Sequence, residues 1–577
     1  MKRLLVYLRD YKRQTVLAPL FKMLEACFEL LVPLMIARMI DAGIAGGDKA
    51  LILRLCLGLV ALGLIGFVCA VTAQYYAAKA AVGFGAKLRY ALLKRLCGLS
   101  FSQIDEVGAS TMIARMTSDV NQVQTGVNMT LRLFLRSPFI VFGAAVMAFT
   151  IDVPAALVFT CAIPALSLVV FGIMRWTIPL YRRVQGRLDG VLRITRENLT
   201  GARVLRAFGK EEAETLRFDE SNRVLYGEQR HVSRISALMN PLTYVLINAA
   251  VLYLIWVGAL RVELGVLTQG QVVALYNYMS QILVELIKLA NLIVTMTKAL
   301  ASARRVAAAL ELPPSNESAG GAKAGLSENA PLVEFCGVGM TYEGARAEAL
   351  SDVSFSARRG QTIGVIGGTG AGKSTLVQLI PRFYEATRGR VLVEGRDVRD
   401  WDVAALRQKI GVVPQKALLF SGTIGANLRW GNPEATEDDL WQALDTAQAR
   451  EVAEGKEGGL EARVEQNGRN FSGGQRQRLT IARALAKKPE ILILDDSASA
   501  LDYATDACLR RALCALPERP LVFIVSQRAA SMAHADAIIV LEDGRVAGMG
   551  THGELLKACP VYKEIYDSQF PPEVVAQ

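Results

Sequence analysis

Residues 361–375 read QTIGVIGGTGAGKST, an apolar run that passes directly into a glycine-rich turn. The run predicts a β-strand, and the turn fits the spacing G-x-x-x-x-G-K-[ST]. In that arrangement the backbone N–H groups of the turn and the N-terminus of the following helix surround phosphate oxygens. A coincidental glycine loop is the alternative, but the strand before the turn and the helix after it argue against that alternative. The sequence therefore predicts a phosphate-binding loop within an α/β domain.

The residues of this loop have different expected roles. Lys373 is expected to reach the outer phosphates, and the hydroxyl of Ser374 is expected to bind Mg²⁺. The predicted nucleotide-binding residues of the loop are Gly367, Gly368, Thr369, Gly370, Ala371, Gly372, Lys373, Ser374 and Thr375.

A second apolar tetrad, Ile491–Leu494, is followed by Asp495. This strand is expected to deliver Asp495 to the sheet edge that carries the glycine turn, where a carboxylate can hold Mg²⁺. Taken alone, the same residues are more often just a buried strand end. Strand-like runs at 362–366, 491–494 and 521–525 alternate with helical patterns, which predicts a mostly parallel sheet.

Residues 471–485, FSGGQRQRLTIARAL, place Ser472, Gly473 and Gly474 at the start of an amphipathic helix, a second anion-binding helix N-terminus. With the two strand motifs, this segment resembles the LSGGQ signature of the ATP-binding-cassette exporters, with Phe471 in place of Leu. The resemblance covers nearly the whole chain. It implies an α/β P-loop ATPase domain with a helical subdomain, preceded by a six-span α-helical membrane domain, with ATP and Mg²⁺ as cofactors.

The resemblance implies roles for further residues. Tyr342 is similar to the aromatic residue that stacks on adenine, and Gln415, in VVPQ, to the glutamine that senses Mg²⁺. Residues 499–502, SALD, resemble the D-loop. In this family each ATP lies between the phosphate loop of one subunit and the signature of the other. The signature residues expected at such an ATP are Ser472, Gly473, Gly474 and Gln475. Without the resemblance, Tyr342 is a half-buried strand aromatic and Gln415 a polar loop residue.

Two expected catalytic positions depart from the family pattern. The Glu that positions the attacking water is replaced by Asp496, and the switch histidine is replaced by Gln527. One methylene fewer withdraws the carboxylate by roughly 1.5 Å, and catalytic positioning is sensitive to such a shift. We expect a site that holds ATP and hydrolyses it slowly, in a chain whose intact signature serves a partner's working site. A homodimer with modest activity is the alternative.

The first half of the chain predicts a membrane domain. Apolar residues make up 52% of the sequence, and six stretches before the linker are long enough to span a bilayer as helices. These stretches are 17–44, 52–82, 126–150, 153–177, 238–261 and 271–298. Because Lys and Arg gather before the first stretch and between the second and third, both termini are expected in the cytoplasm, in a bacterial-type inner (plasma) membrane.

Composition excludes other classes. The net charge of +11 comes from residues that flank the apolar stretches and from the second half, with no basic stripe interleaved with aromatics, so no nucleic acid is expected as a partner. The nine cysteines show no CxxC spacing, and they predict neither a metal site nor a disulfide framework.

The long connections at 83–125 and 178–237 have a helical pattern and are expected to extend the membrane helices into the cytoplasm. The resemblance implies that residues near 110–119 and 208–213 form short transverse helices that dock on the ATPase domains. Residues 311–330, ELPPSNESAGGAKAGLSENA, cannot form an apolar core. The expected domains are therefore 1–310, the linker 311–330, and 331–577.

Charged residues lie inside the first and last spans. Glu25 and Glu29 are spaced i,i+4, and Glu285 and Lys288 are spaced i,i+3. Charge at membrane depth is costly, so such residues usually face a bundle interior or a water-filled path. They are expected either to line a cavity for cationic, amphipathic substrates or to pair with one another for structural reasons.

These features predict half of an ATP-driven exporter of small amphipathic molecules, paired with a different but related half-transporter in the lipid bilayer. Two alternatives stay open. One is a homodimeric exporter of lipid or peptide, and the other is a regulatory subunit that uses ATP binding as a switch. An importer is disfavoured because importers usually carry membrane and ATPase domains on separate chains.

Overall fold

Long helices build the N-terminal half of the chain in the computed structural model, which describes residues 4–313 and 331–570. One unit, the helical unit, runs up to Cys97 and resumes from Ser110 to Leu312; the other, the sheet unit, takes Gly98–Ala109 and the chain from Pro313 onward. Residues 314–330 of the expected linker lie outside the described residues. The helices of this half are α1 (Lys12–Arg38), α2 (Lys49–Cys97), α3 (Phe101–Val107), α4 (Ala109–Ala114), α5 (Val120–Leu133), α6 (Arg136–Ile151), α7 (Val153–Thr200), α8 (Ala202–Ala207), α9 (Glu211–Ala237), α10 (Met239–Glu263) and α11 (Gln269–Glu311).

The length of these helices confirms that the membrane helices continue through the long connections. α2 has 49 residues and α7 has 48, so each is about 70 Å long, more than twice the thickness of the hydrocarbon core. Within the described residues, five helical runs are long and apolar enough to cross a membrane. α1, with 27 residues, is outside that set because charged side chains interrupt its apolar sequence. With α1 included, the runs coincide with the six predicted stretches.

Polar contacts fix the ends of the spans. Asp152 lies between α6 and α7. Its carboxylate accepts a hydrogen bond from the backbone N–H of Ala155 and forms an ion pair with Arg261 at 2.6 Å. A cap of this kind stabilises a helix by about 1 kcal/mol. Asp41, after α1, accepts hydrogen bonds from the Thr268 hydroxyl and the Gly270 N–H at the start of α11. These bonds hold the α10 end against α7 and the α11 start against α1.

Small residues let the helices of the bundle approach closely. Buried alanines recur along the inner faces of α1, α2, α6 and α7, and Tyr278 of α11 is fully buried with its hydroxyl bonded to the carbonyl of Leu30. Small side chains at helix interfaces are typical of membrane bundles, where van der Waals packing drives association. α11 is therefore a central helix of the bundle.

Between residues 331 and 570, the described part of the second half, the chain forms twelve strands and nine further α-helices. The strands are β1 (Val333–Met340), β2 (Leu350–Ala357), β3 (Thr362–Gly367), β4 (Arg388–Val393), β5 (Arg396–Asp397), β6 (Ile410–Val413), β7 (Gly422–Thr423), β8 (Arg463–Val464), β9 (Ile491–Asp495), β10 (Leu521–Val525), β11 (Ala537–Glu542) and β12 (Arg545–Gly550). The helices are α12 (Lys373–Leu379), α13 (Val403–Gln408), α14 (Ile424–Arg429), α15 (Glu437–Thr446), α16 (Arg450–Glu454), α17 (Gly473–Leu485), α18 (Tyr503–Cys514), α19 (His552–Ala558) and α20 (Pro560–Gln569).

The central sheet has the strand order β12-β11-β3-β10-β9-β6. β11, β3, β10, β9 and β6 are parallel to their neighbours, and only β12 is antiparallel. An antiparallel sheet, β2-β1-β4-β5, accompanies it. Helices α14 to α17 pack around buried leucines such as Leu428, Leu440 and Leu479 and form the helical subdomain. The predicted α/β class, the mostly parallel sheet and the helical subdomain are all confirmed.

One expected docking segment is misplaced by the sequence interpretation. Residues 110–119 do not form a separate transverse helix, because they run continuously from α4 into α5 within the helical unit. The short helix that belongs to the sheet unit is α3, which begins nine residues before this segment, at Phe101. The second expected segment, 208–213, covers the turn between α8 and α9, where Phe208 is exposed.

Candidate nucleotide-binding site

The phosphate loop joins β3 to α12 in a conformation that needs glycine. Gly370 and Gly372 have φ values of +84° and +92°, in the left-handed region. A Cβ atom on Gly372 would lie 2.5 Å from the carbonyl oxygen of Ala349, so a larger residue cannot be accommodated. The ammonium of Lys373 donates hydrogen bonds to the carbonyls of Gly367 (2.9 Å) and Gly368 (2.6 Å). The backbone carbonyls at the start of the loop thus fix the position of the Lys373 ammonium.

Sheet register brings Asp495 to the phosphate loop, as predicted. β9 and β3 both pair with β10, so their carboxyl ends lie at the same edge. The hydroxyl of Ser374 donates a hydrogen bond of 2.9 Å to Oδ1 of Asp495. A hydroxyl beside a carboxylate is a set of hard oxygen donors, which is the chemistry that Mg²⁺ requires. The residues present therefore fit the metal that accompanies ATP.

At this edge of the sheet the pKa of Asp495 is raised and the pKa of Lys373 is lowered. Burial raises the pKa of Asp495, and the neighbouring carboxylate of Asp496 raises it further, whereas the Ser374 hydrogen bond and the Lys373 charge lower it. Burial lowers the pKa of Lys373, and both carboxylates oppose that shift. The metal-free site therefore carries two carboxylates whose repulsion a divalent cation would relieve.

Tyr342 lies against the first helix of the site. Its hydroxyl is 2.9 Å from Oγ1 of Thr375, and its ring makes an edge contact with Tyr384 at a centroid distance of 5.1 Å. These two contacts fix the ring beside the residue that ends the phosphate-loop motif. This position is compatible with the expected adenine platform.

The two departing residues follow neighbouring strands. Asp496 follows β9 with φ +49°, and its backbone N–H donates to the carbonyl of Val525 at the end of β10. Its carboxylate accepts a hydrogen bond of 3.3 Å from the amide of Gln415. Gln527, two residues after β10, is exposed, and its backbone carbonyl accepts a hydrogen bond from the side chain of Gln569. Gln415 and Asp496 are thus brought together as a pair, and Asp496 directly follows Asp495 in the chain.

The signature segment begins α17 through a reciprocal cap. The hydroxyl of Ser472 accepts the backbone N–H of Gln475, whose side-chain oxygen accepts the backbone N–H of Ser472. Gly473 has open space where a side chain would lie. The start of α17 and Gln415 line one cavity of about 450 Å³, and Nε2 of the buried Gln477 has no hydrogen-bond partner among the described residues. The helix N-terminus is accordingly open to a ligand.

Sequence reasoning missed the α3 contact. Phe101 stacks on Phe383 at a centroid distance of 4.5 Å, and the hydroxyl of Tyr384 donates a 2.6 Å hydrogen bond to Asp105. Tyr384 also contacts Tyr342, so α3 is one side chain away from the expected adenine platform. The capping box formed by Ser100 and Gln103, readable in the sequence as S-x-x-Q, was the available signal.

The charged residues of the spans lie together around a residue that the sequence interpretation passed over. Arg136, at the start of α6, pairs with Glu285 at 2.7 Å and with Glu29 at 2.6 Å. Lys288 pairs with Glu285 at 2.7 Å. Glu285 and Lys288 therefore pair, as the structural alternative predicts, and together with Glu29 they also line a cavity.

Known proteins share both halves of this chain. The family model described as ABC transporter transmembrane region matches residues 15–286, and the ABC transporter model matches residues 350–499. An uncharacterized ABC transporter ATP-binding protein of Mycobacterium tuberculosis is 37% identical over 98% of this chain and 97% of its own length. The uncharacterized ABC transporter ATP-binding protein YfiB of Bacillus subtilis is 36% identical over 99% of each chain.

Two further similarities extend the comparison. The ATP-dependent lipid A-core flippase of Chromohalobacter salexigens is 30% identical over 99% of this chain and 98% of its own length. A solved structure of a bacterial Atm1-family ABC exporter with ATP bound has the same fold, with a TM-score of 0.80, 24% identity, and coverage of 97% of this chain and 98% of that chain. This chain belongs to the ABC transporter family, as a multi-pass membrane half-transporter of the exporter type whose ATPase domain couples ATP hydrolysis to transport.

Proposed function

We propose that this chain exports small amphipathic molecules across a bacterial plasma membrane as one half of a heterodimer. In this proposal its own nucleotide site binds ATP but turns it over slowly, and its intact signature completes the working site of a related partner chain. The expected domains, 1–310, 311–330 and 331–577, and cytoplasmic termini are part of the same proposal.

The pairing of Asp496 with Gln415 is the observation that carries the proposal of a slow site. The short carboxylate is already engaged by the amide at 3.3 Å, so it is directed at Gln415 and not freely presented to a water molecule. Gln527 stands where the family has a histidine, and an amide cannot act as an acid or base near neutral pH. Both departures weaken the activation of water at the same site.

Retention of ATP is supported by the remaining residues of the site. Lys373 would neutralise the outer phosphates, Ser374 and Asp495 would hold Mg²⁺, and Tyr342 would stack on the base. Mg²⁺, when bound, neutralises charge on the phosphate oxygens. Gln415 would then lie near the bound Mg²⁺ while keeping its contact with Asp496. None of these binding roles depends on a long catalytic carboxylate.

The signature supports a contribution to a second site. The Ser472 cap shapes the start of α17, and Gly473 has open space where a side chain would lie, at the positive end of the helix. Such an end stabilises phosphate oxygens without any side-chain charge. A chain with weak hydrolysis and an intact signature is therefore expected to pair with a chain that hydrolyses ATP well and has a weaker signature.

The test is ATP hydrolysis by the purified chain in lipid nanodiscs, alone and after co-expression with a related half-transporter that has Glu and His at the positions of Asp496 and Gln527. We expect slow turnover alone and a rise of at least about tenfold with the partner. Fast Mg²⁺-dependent turnover by the chain alone would contradict the heterodimer and favour a homodimer.

A second candidate is a homodimeric lipid flippase. The specific observation that favours it is the 30% identity, over nearly the full length, with a protein named ATP-dependent lipid A-core flippase. The same nanodisc experiment separates the two, because a homodimeric flippase needs no second chain for turnover or for lipid translocation.

A further inference from the structure

An ionic cluster joins three helices of the helical unit. The guanidinium of Arg136 on α6 donates to Glu285 on α11 and to Glu29 on α1, and the hydroxyl of Ser137 donates to the second oxygen of Glu285 at 2.7 Å. Arg136 is only 7% exposed and Glu285 only 2%. Buried ions in a bundle are tolerated when paired in this way, and they often mark a polar path or site.

The cluster is balanced in charge. Its acidic members are Glu25, Glu29 and Glu285, and its basic members are Lys22, Arg136 and Lys288. Glu285, which the sequence places as a candidate counter-ion for a cation, is already bonded to Arg136, Ser137 and Lys288. The Glu285 carboxylate therefore has no uncompensated charge of its own to offer a simple cation.

A cavity of about 320 Å³ opens onto this cluster between α1 and α11. Of the cluster members that line it, Glu29 and Lys288 have side chains that are 38% and 41% exposed, whereas the Glu285 side chain is 3% exposed. Glu29 and Lys288 are connected by three consecutive hydrogen bonds, which pass through the Arg136 guanidinium and the Glu285 carboxylate. The cavity thus presents one accessible anion, Glu29, and one accessible cation, Lys288, and each also holds an ion-pair partner inside the cluster.

The rest of the lining is divided between polar and apolar groups. Asn277, Ser280 and Gln281 of α11 supply hydrogen-bonding groups, and Oε1 of Gln281 is buried with no donor to it in the described part of the chain. Val32, Pro33 and Ile36 of α1 form an apolar wall. Such a mixture of a few polar groups and apolar surface is typical of ligand sites of this size.

We propose that this cavity binds the head group of a zwitterionic amphiphile. Its cationic group would lie at Glu29, its anionic group at Lys288, and the start of its apolar chain against the α1 wall. This inference rests on the proposed export function and narrows its substrate class, since the sequence alone suggested cationic amphiphiles. The two accessible charges line the same cavity and have opposite signs, which favours a zwitterion over either ion.

The inference is tested with three probes that share one dodecyl chain: dodecylphosphocholine, dodecyltrimethylammonium and dodecyl phosphate. Binding to the assembled transporter in nanodiscs is measured below the concentrations at which the probes form micelles, together with ATPase stimulation and uptake into inside-out vesicles. We expect dodecylphosphocholine to bind about tenfold more tightly than either ion, the factor that one hydrogen bond to a charged group contributes.

Two substitutions separate the two poles of the cavity. Lys288→Gln should weaken dodecylphosphocholine about tenfold and leave dodecyltrimethylammonium unchanged. Glu29→Gln should weaken dodecylphosphocholine equally and leave dodecyl phosphate unchanged. Both variants keep Glu285 bonded to Arg136 and Ser137, so the buried core of the cluster stays paired. Lys298→Gln, an exposed position on the same helix, is the matched control and should change nothing.

The outcomes distinguish this inference from the exporter proposal. Equal binding of the three probes, tightest binding of the cation, or a uniform loss in both variants would overturn the zwitterion site. A transporter that still hydrolyses ATP and exports another probe in those cases retains the proposed function. Selective binding of dodecylphosphocholine without transport or a change in ATPase would instead support the site and contradict export of such molecules.

Discussion

The amide of Gln415 donates a hydrogen bond of 3.3 Å to the carboxylate of Asp496. Asp496 has a left-handed backbone, φ +49°, a conformation in which the short side chains of Asp and Asn are enriched. The two residues come from the segments after β6 and β9, which are adjacent strands. The short carboxylate of Asp496 therefore points toward Gln415. This orientation determines the effect that substitutions of Asp496 are expected to have on ATPase activity.

Replacing Asp496 by Asn should change steady-state ATPase of the assembled transporter by less than about threefold. A carboxylate that positioned the attacking water would instead cost about 10²–10⁴-fold when removed. Gly474→Asp should reduce the same activity by at least about 10²-fold, because in the proposed pairing it would place a carboxylate against phosphate oxygens at the partner's site.

Gly474→Ala is the control that separates charge from bulk. A Cβ at this position would lie 3.1 Å from the carbonyl of Ala500, so a small steric cost is expected for any side chain. Gly474→Ala should retain more activity than Gly474→Asp. If Asp496→Asn is as damaging as Gly474→Asp, this chain's own site carries turnover.

Restoring the family residues should raise activity in the chain alone. The double variant Asp496→Glu, Gln527→His is expected to increase ATP turnover by at least about tenfold over the parent, because it returns a longer carboxylate and a titratable imidazole to the same site. Each single variant should give less than the pair. The comparison is made on purified protein without a partner, and an unchanged rate in the double variant would contradict a site limited by these two residues.

The sequence predicts this site well where the chemistry is local. The phosphate loop, from Gly367 to Thr375, specifies its own turn through glycines with positive φ, and the apolar tetrad before Asp495 can only be a buried strand once that turn exists. The contact of Gln415 with Asp496 joins residues 81 positions apart, and no local pattern encodes it. Local motifs therefore identify the residues of the site, whereas the register of the sheet determines which of these residues contact one another.

Two tertiary features escaped prediction for physical reasons. Arg136 lies inside the predicted stretch 126–150, where no acidic residue of the same stretch can pair with it. Its burial becomes intelligible only when Glu29 and Glu285, from helices distant in sequence, are placed around it. Likewise α3 has no long apolar face of its own, and it is the stacking of Phe101 on Phe383 that assigns it to the sheet unit.

Tyr342 should contribute to ATP affinity through its ring and only slightly through its hydroxyl. Tyr342→Ala is expected to weaken ATP binding by about tenfold or more, since stacking of a base on an aromatic side chain contributes about 1–3 kcal/mol. Tyr342→Phe removes only the contact with Thr375 and should stay within about threefold of the parent. Equilibrium binding of a fluorescent ATP analogue measures both, and equal losses in the two variants would contradict the stacking role.

Asp495→Asn should stabilise the metal-free protein while weakening Mg²⁺-dependent ATP binding. The pKa of Asp495 is raised in the folded protein by burial and by Asp496, so the charged form is disfavoured there. The resulting penalty is absent below the ordinary pKa and complete above the raised pKa, so stability falls as pH rises through that range. The variant's advantage in Tm, a few degrees in EDTA, should therefore be larger at about pH 8 than at about pH 5. An advantage that shrinks as pH rises would contradict the buried charge.

Removing Arg136 should destabilise the helical unit more than removing any exposed ion-pair partner. Arg136→Met leaves Glu285, which is 2% exposed, with only Ser137 and Lys288, and the loss of one partner of a buried pair costs about 3–5 kcal/mol. Arg136→Met combined with Glu285→Met removes both buried charges and should recover most of that loss. Arg223→Met is the control for an exposed pair, because its 3.0 Å pair with Asp219 joins side chains that are 72% and 59% exposed and should cost less than about 1 kcal/mol. Thermal unfolding of the four proteins in one detergent measures the series. If Arg136→Met costs no more than Arg223→Met, or if the double variant is worse than the single one, the cluster does not hold α1, α6 and α11 together as its geometry implies.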